Sequence, residues 1–537
     1  MNRKERAALR RSFFLEYLNH VVMKRSSYLI ISTALASLSA AAQEPADALR
    51  YSWLSGSGTA RHQAIGGTNV ALGGDLSSIF YNPAGLGLYR TGELVLTPAY
   101  SMNRNNAGYL GNEATQRSTQ LNFGTTGVVL PLNGSGGGRG KIKNVSVGFG
   151  INRVANFNNS VYFNGRNNKS SYSEKYLEEL INNNVTDPNA AAEDFPYGAS
   201  LAFNTYLIDT VRGPGGTVAG YRSMATPATG VTQSQSIDTR GGINEFGLGM
   251  SANMGDRVFF GGSLNWSVLN FERESQFREE DATNNTRNNF KYFTVDEYLS
   301  TTGVGINLKL GVIIKPVDQL RIGLALHTPT LYNMKDMYAT TITADLEGYA
   351  GSGSQTQSSR DFNNGYDGEF AYNFSNPLRL MGGISYVFRE DADITRQRGF
   401  ISADIEYLNY QGSTFTASDA TANAGSYFTE LNQAVDRVYR SAINARVGGE
   451  LKFETFMVRG GVAYFGNPYA AGNESARRLN ISGGLGYRNK GKFVDLTYVH
   501  QLVGDNYYPY RLDNGSFSPV NLRSGLGNVL ITVGFKF

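Results

Sequence analysis

The stretch Val304-Gly305-Ile306-Asn307-Leu308-Lys309-Leu310-Gly311-Val312-Ile313-Ile314-Lys315 alternates at period two. Val304, Ile306, Leu308, Leu310, Val312 and Ile314 fall on one face of an extended chain. Gly305, Asn307, Lys309, Gly311, Ile313 and Lys315 fall on the other, because successive strand side chains point to opposite faces. The same pattern returns twice toward the C-terminus. Ile443, Ala445, Val447, Leu451 and Phe453 alternate with Asn444, Arg446, Glu450 and Lys452. Val529, Ile531, Val533, Phe535 and Phe537 alternate with Leu530, Thr532, Gly534 and Lys536. An apolar face opposed to one carrying Lys and Arg, over ~9–11 residues, is the pattern of a strand with lipid on one side and a polar lumen on the other. A soluble β-sandwich also alternates, but it does not require such long apolar faces backed by full charges.

Strands of this kind are predicted near residues 93–104, 117–130, 142–154, 243–254, 257–272, 304–315, 319–327, 378–388, 398–410, 441–453, 457–465, 478–488, 491–503 and 526–537. That makes fourteen, an even number, as closure with both ends on one side requires. The even-numbered strands end in short turns: Pro131 to Gly140, Gly255-Asp256, Pro316-Val317-Asp318, Glu390 to Gln397, Glu454-Thr455-Phe456 and Asn489-Lys490. The intervening connections are longer, the main ones being 155–242, 273–303, 328–377 and 411–440. Short turns on one side and long loops on the other is the plan of a bacterial transmembrane barrel. The strand-like Tyr366 to Phe374 would break this arrangement, so it is placed in the loop 328–377, paired with Thr340 to Leu346. The expected fold is all-β: a 14-stranded antiparallel transmembrane β-barrel over 93–537.

Composition agrees. The 537 residues include 63 Gly, 32 Tyr and 30 Phe, with no Cys, and the mean hydropathy is −0.30. Beyond the N-terminus no run reaches the ~18–20 apolar residues of a helical span. Disulfide scaffolds, thiolate metal sites and cysteine nucleophiles are excluded. Lys24-Arg25, an apolar run from Tyr28 to Leu38, and Ser39-Ala40-Ala41-Ala42 before Gln43 read as a secretory signal peptide. Residues 1–22 read as an extended leader, or as sequence upstream of a true start at Met23. Residues 1–42 hold seven Lys/Arg and two Asp/Glu, so the +4 of the whole chain becomes −1 from Gln43 onward. The basic pI of the full chain therefore carries no nucleic-acid reading. The expected location is the bacterial outer membrane.

About fifty residues, 43–92, precede the first strand and are not barrel. They contain Ala60-Arg61-His62-Gln63-Ala64-Ile65-Gly66-Gly67 and Asp75-Leu76-Ser77-Ser78-Ile79-Phe80-Tyr81-Asn82-Pro83-Ala84-Gly85-Leu86. The glycines lack the spacing of a phosphate loop and no βαβ unit surrounds them. A lumen of this size is open unless filled, so the segment reads as an N-terminal plug, or hatch.

The run A-R-x-Q-A-x-G-G…S-x-I-F-Y-N-P-A-G-L resembles the hatch of the long-chain fatty acid outer-membrane transporter family (FadL-like, including aromatic-hydrocarbon importers). Lys309 to Pro316 with Arg321 to Leu324 is similar to that family's mid-barrel hairpin, and Arg446-Val447-Gly448-Gly449-Glu450 to its late-strand motif. The resemblance covers the mature chain. It implies passive uptake of small hydrophobic or amphipathic molecules, long-chain fatty acids among them, through a lumenal pocket and out sideways beside a kinked third strand. It also implies that Asn82, Pro83 and Ala84 form the hatch core. Gly148 and Gly150 in strand three are candidates for the kink, since glycine weakens a ladder; the alternative is that they only relieve crowding.

Other residues follow from the pattern itself. Ser171-Tyr172-Ser173-Glu174 has capping-box spacing, and Tyr176, Leu177, Leu180 and Ile181 form a helical stripe. The stripe is either a ligand groove in the loop or packing against the barrel rim. Lys309, Lys315, Arg321, Arg446, Glu450, Lys452 and Arg459 face the lumen, where Arg446 or Arg459 would suit a carboxylate ligand if not paired internally. His62, His327 and His500 are too scattered for a metal site, and no serine lies on the lipid-facing register close to His500 in sequence to suggest a hydrolase, though neighbouring strands could supply one. The chain is expected to be no enzyme and to need no cofactor or metal. Its expected partners are outer-membrane lipid, a hydrophobic small molecule and the outer-membrane insertion machinery, reached through the strand ending at Phe537; it is expected to be a monomer. A non-transporting plugged barrel serving as a scaffold in an envelope or secretion assembly is the alternative reading.

Overall fold

The computed structural model describes residues 43–53, 56–132, 142–283, 285–349, 351, 353–388, 398–418, 424–471, 476–513 and 515–537. The signal-peptide stretch 1–42 and most of the turns Pro131 to Gly140 and Glu390 to Gln397 lie outside the described residues.

Fourteen antiparallel strands close into a single barrel. In chain order they are β1 (Glu93–Leu96 and Pro98–Tyr109), β2 (Asn112–Phe123 and Thr126–Leu132), β3 (Ile142–Asn156, then Asn159–Asn167), β4 (Val231–Met254), β5 (Val258–Asp281), β6 (Tyr292–Val317) and β7 (Leu320–His327 and Leu331–Asp345). They continue as β8 (Gly368–Ser375 and Arg379–Phe388), β9 (Gly399–Asn409), β10 (Ser441–Phe453), β11 (Phe456–Phe465), β12 (Arg478–Asn489), β13 (Lys492–Tyr507) and β14 (Val520–Lys536). Closure is made by β14 on β1, with Glu93 opposite Lys536 and Ala99 opposite Leu530.

The alternation read from the sequence is the alternation of the wall. Val304, Ile306, Leu308, Leu310 and Ile314 are exposed on β6, while Asn307, Lys309 and Lys315 are buried inside. On β10, Ile443, Val447 and Leu451 face out, with Asn444, Arg446 and Glu450 turned in. An outward band of exposed Leu, Ile, Val and aromatic side chains around a closed ladder satisfies both demands of a bilayer: apolar contact, and no free backbone edge. In the β4–β5 connection Gly255 and Asp256 both take φ +61°, in a three-residue turn that closes on the pair Met254–Val258.

The strands run further outward than the sequence pattern indicated. β4, β5 and β6 are 24, 24 and 26 residues long, against the ~9–11 that cross a membrane. Exposed apolar side chains on β5 stop after Trp266, so everything beyond about Val268 stands outside the bilayer. Much of 155–242, 273–303 and 328–377 is therefore sheet rather than loop. Above the membrane the outer face meets water, while the inner face packs apolar residues such as Leu269, Phe271, Phe277, Phe293 and Val295. The outward apolar pattern that marks a lipid-facing strand therefore ends although the ladder continues. Tyr366 to Phe374 is corrected in the same way: Gly368–Ser375 is the outer half of β8 and pairs with Leu331–Tyr338, whereas Thr341–Ala344 pairs with 355–358.

This outer sheet is roofed by three short helices, and residues 43–92 make contact with the strands below. Among the described residues the α-helices are α1 (Pro45–Ser52), α2 (Ala60–Ala64), α3 (Glu174–Asn182), α4 (Pro188–Glu193), α5 (Ala199–Asn204) and α6 (Ala424–Val438). Residues 43–92 bond to strands all round the wall. Ala60 N–H donates to Thr532, Asn69 and Val70 N–H to Asp404, and Ser482 Oγ donates to the Ala64 carbonyl. Gly448 and Gly461 allow this approach. A Cβ on either would lie 2.1 Å from backbone of Ile65 or Gly66.

Candidate functional site

Among the described residues the wall is continuous except between β2 and β3. Their ladder runs from Leu132–Val145 up to Thr126–Ile151 and stops there. Above that rung Asn112–Phe123 pairs only with β1. β3 bulges between Arg153 and Ala155, breaks at Phe157-Asn158, and resumes as Asn159–Asn167 paired with β4.

Local sequence explains the break. Asn156 Oδ1 accepts from Asn158 N–H (3.2 Å) and Asn158 Nδ2 (2.6 Å), an Asx-type turn that draws the backbone out of a ladder. Phe157 N–H, Asn158 Nδ2 and Arg153 Nη2 all donate to the carbonyl of Gly241. The resumed segment then passes inside the β1–β2 hairpin. Asn103 and Asn105, on the inner face of β1, donate to the carbonyls of Asn158 and Ser160. Tyr109 also lies edge-on to Phe163 at 5.0 Å.

Gly148 and Gly150 are not the kink. They sit in regular register with Val129 and Gly127 on one side and Gly249 and Gly247 on the other. A Cβ on Gly148 would lie 3.0 Å from Ile79, and one on Gly150 3.3 Å from Phe80, so these glycines make room for residues 43–92. The break begins two residues beyond Gly150, at the cluster Asn152, Asn156, Asn158, Asn159. Repeated turn-forming asparagines at the end of a strand were the available signal.

A cavity of about 290 Å³ opens at this break. Trp53, Phe123, Phe157, Leu526 and Leu530 give it apolar walls, and Arg50, Arg153 and Arg478 bring three guanidinium groups; no Asp or Glu lines it. Arg478 is stacked 4.1 Å over Trp53 and 4.7 Å over Phe465, and Arg50 is 4.4 Å over Phe271 while paired to Asp47. Arg153 Nε and Gln63 Nε2 are buried donors without a hydrogen-bond partner among the described residues. Such groups are costly to leave unsatisfied. Asn and Gln side chains, Asn103, Asn122, Asn480 and Gln501 among them, line the rest of it. A chamber with an apolar part, unused donors and no carboxylate is complementary to an amphiphile with an anionic head.

At its foot residues 56–58 wedge the wall. Gly58 carbonyl accepts from Thr125 N–H (3.1 Å), and Asn152 Oδ1 accepts from both Ser57 Oγ and Thr125 Oγ1 at 2.9 Å. Deeper in, Asn82 is fully buried, donating to the carbonyls of Val70, Val312 and Leu324 while its Oδ1 accepts from Ala84 N–H. Pro83 and Ala84 press on Gly261, where a Cβ would meet them at 2.3–2.4 Å. The His62 ring packs tilted against Tyr81, with centroids 4.4 Å apart and planes at 42°, and His327 Nε2 lies 2.8 Å from the Tyr81 carbonyl. His500 is outside the wall beside Tyr498.

The arginines expected to meet a ligand are instead used internally. Arg446 is bound by Glu406, and Arg459, with no exposed side-chain surface, holds Glu450 and Asp495 at 2.6 Å each. Buried cations beside acids neutralise one another first.

The helical stripe is likewise packing. α3 forms where expected, but Tyr176 and Leu180 are buried with Phe277, Phe293 and Ile342, Leu177 packs against the same core, and Ile181 points to solvent. No groove remains along it. Ser171 turns to Glu279 rather than capping α3, and Glu279 also accepts from Tyr172 N–H and Gln233 Nε2. Glu279 stands some eleven residues beyond the apolar band and is completely buried. Burial pushes its carboxyl up to about 7, although the three hydrogen bonds pull the other way. The folded cap thus holds the proton more tightly than the open chain. Stability is greatest below pH 4.5, falls between 4.5 and 7, and is flat above. Hydrogen exchange of residues 171–180 is expected to show roughly 3 kcal/mol weaker protection at pH 8 than at pH 4.5. Glu279→Gln should flatten that dependence; an unchanged slope in the variant would assign it to another group.

At the level of sequence, neither a family model nor a curated protein matches the chain. Among solved structures the chain is similar to the crystal structure of a Pseudomonas aeruginosa FadL homologue, with TM-score 0.52 and 13% identity over 90% of this chain and 99% of that one. It is also similar to the P. putida toluene transporter TodX, with TM-score 0.50 and 12% identity over 90% and 99%. The likeness is one of fold.

Proposed function

We propose that this protein is a bacterial outer-membrane channel for passive uptake of small amphipathic molecules, capturing them in the arginine-lined cavity and releasing them sideways between β2 and β3. The observation that carries this reading is the coincidence of the cavity with the one interrupted seam of the wall. The structural neighbours, one titled as a toluene transporter, support it. Partition supplies the drive, since each buried methylene contributes about 0.8 kcal/mol. Arg153 and Arg478 favour an anionic head such as the carboxylate of a long-chain fatty acid. The exposed, mutually stacked Phe535 and Phe537 at the end of β14 fit recognition by the outer-membrane insertion machinery, and the closed wall fits a monomer.

Release requires the strand edges to part at Thr125 and Asn152, the positions that follow the last rung. Facing positions on an antiparallel pair have Cβ atoms about 4.5–5.5 Å apart, near the span of a disulfide. In a chain without cysteine, Thr125→Cys with Asn152→Cys makes one defined staple. Cellular uptake of a labelled long-chain fatty acid is expected to drop about tenfold when the pair is oxidised and to recover on reduction. Equal uptake in both states would remove the lateral route. Arg153→Leu with Arg478→Leu should weaken uptake of the acid by tenfold or more, from roughly 1.5–3 kcal/mol per lost charged hydrogen bond, and spare toluene. Equal loss for both compounds would argue against head-group recognition.

A further inference from the structure

A second cluster of arginines lies on the outside of the barrel. Arg104 on β1 is directly opposite Arg117 on β2, and Arg523 on β14 lies opposite Asn106, one outward step away. All three are exposed, and none takes part in an ion pair among the described residues. Like charges facing each other across a ladder destabilise it. The nearest carboxylate on the outward registers of β1 and β2, Glu113, lies opposite Gly108, four positions beyond Arg117.

Their height is specific. The outward residues of β1 run Leu94, Leu96, Tyr100, Met102 and then Arg104. Ten residues at ~3.3 Å each, tilted about 40°, rise about 25 Å, the height of the apolar band of such barrels. The cluster therefore meets the bilayer at its outer head-group level. A groove of about 500 Å³ runs into it, walled by Arg104 and Arg523 and floored by Gly504 and Gly525. Gly504 has no atom within 4 Å of where a Cβ would be, and Gly525 has only His500 at 3.7 Å. Below Gly525 the trough is closed over Gly527, where Tyr498 Oη and Met102 Cε lie 3.1 and 3.4 Å from where a Cβ would be; both side chains are exposed to lipid. Guanidinium groups around a glycine-floored trough, directly above the exposed apolar surface of Met102 and Tyr498, match one molecule that has a phosphate head and a hydrocarbon tail.

We propose that Arg104, Arg117 and Arg523 form a head-group site for a phosphate-bearing lipid of the outer leaflet, whose head enters the trough over Gly504 and Gly525 and whose chain descends over Met102 and Tyr498. The proposal rests on the barrel spanning a membrane and not on transport. Native mass spectrometry of the full-length protein from detergent micelles doped with phosphatidic acid or phosphatidylcholine tests it. The wild type is expected to retain phosphatidic acid at least tenfold more than phosphatidylcholine, with millimolar inorganic phosphate failing to displace it. The variant with Arg104→Gln, Arg117→Gln and Arg523→Gln should lose that preference, and Arg90→Gln, at the opposite end of the wall, should keep it. Retention of the preference in the triple variant would overturn the proposal. Displacement of the lipid by inorganic phosphate would overturn it too, since that marks an anion site without a trough. If the triple variant does not fold, judged by loss of its heat-dependent gel mobility shift, Gly525→Val decides. It fills the trough and leaves all three arginines, and it is expected to lower retention about tenfold; unchanged retention would count against the site.

Discussion

Replacing Gly448 and Gly461 together by valine is expected to turn a sealed barrel into a conducting one. Both glycines face the lumen where the turn after α2 meets β10 and β11. A Cβ at Gly448 would lie 2.1 Å from the Ile65 carbonyl oxygen, and one at Gly461 the same distance from Gly66 N. Neither contact is with a flexible side-chain end that can swing away. The outward faces of β10 and β11 are untouched, so the wall retains its lipid contact and its ladder. The strain falls on residues 64–67, which lose their seat beside Ser482. A barrel this wide, without its filling, leaves an aqueous passage. In planar bilayers the wild type should give few or no ion-conducting steps and the double variant frequent ones, with antibiotic sensitivity rising in cells. A folded variant as silent as the wild type would show that the contact is absorbed by small shifts.

The second large effect is expected from Arg459→Leu. Its guanidinium is held between Glu450 on its own hairpin and Asp495 on β13, with no side-chain surface exposed. Arg61 approaches Glu450 at 3.4 Å, so the pairing also ties residues 43–92 to the wall. Removing one partner of a buried ionic cluster costs roughly 3–5 kcal/mol, because the acids are left desolvated and uncompensated. The temperature at which the folded gel band is lost should fall markedly. Adding Glu450→Gln and Asp495→Asn should return much of the loss. A single variant as heat-resistant as the wild type would mean that water or Arg488 takes over the charge.

Several parts of this arrangement are legible without coordinates. Glu450 and Arg459 both follow as lumenal from alternation, but the turn read as Glu454-Thr455-Phe456 would not place them opposite; the observed Phe453–Phe456 pair, with a two-residue turn, does. Lys309 and Arg446 follow from alternation, which places them in the lumen. What alternation cannot show is which acids arrive from other strands. Glu406 reaches Arg446 from β9, and this is why a residue expected to wait for a ligand is already satisfied. The outer sheet was hidden for a different reason. Thr294 to Tyr298 is as regular a strand as Val304 to Ile314, but outside the bilayer no apolar solvent writes a pattern on its outer face. The break in the wall was sought at glycines, residues that permit a bend. It is made by Asn156 and Asn158, whose side chains actively compete for the backbone.

A strand that runs beneath its neighbours, as Asn159–Asn167 does under the β1–β2 hairpin, imposes an order of events. Asn103, Asn105 and Tyr109 can find their partners only once that segment has been laid against β4. The hairpin is therefore a lid of the assembly process, closing last over a finished inner layer. It also carries the seam with β14 that completes the ring. Closing the circle and covering the bent strand become a single step, so a barrel that has shut has already inspected its own interior.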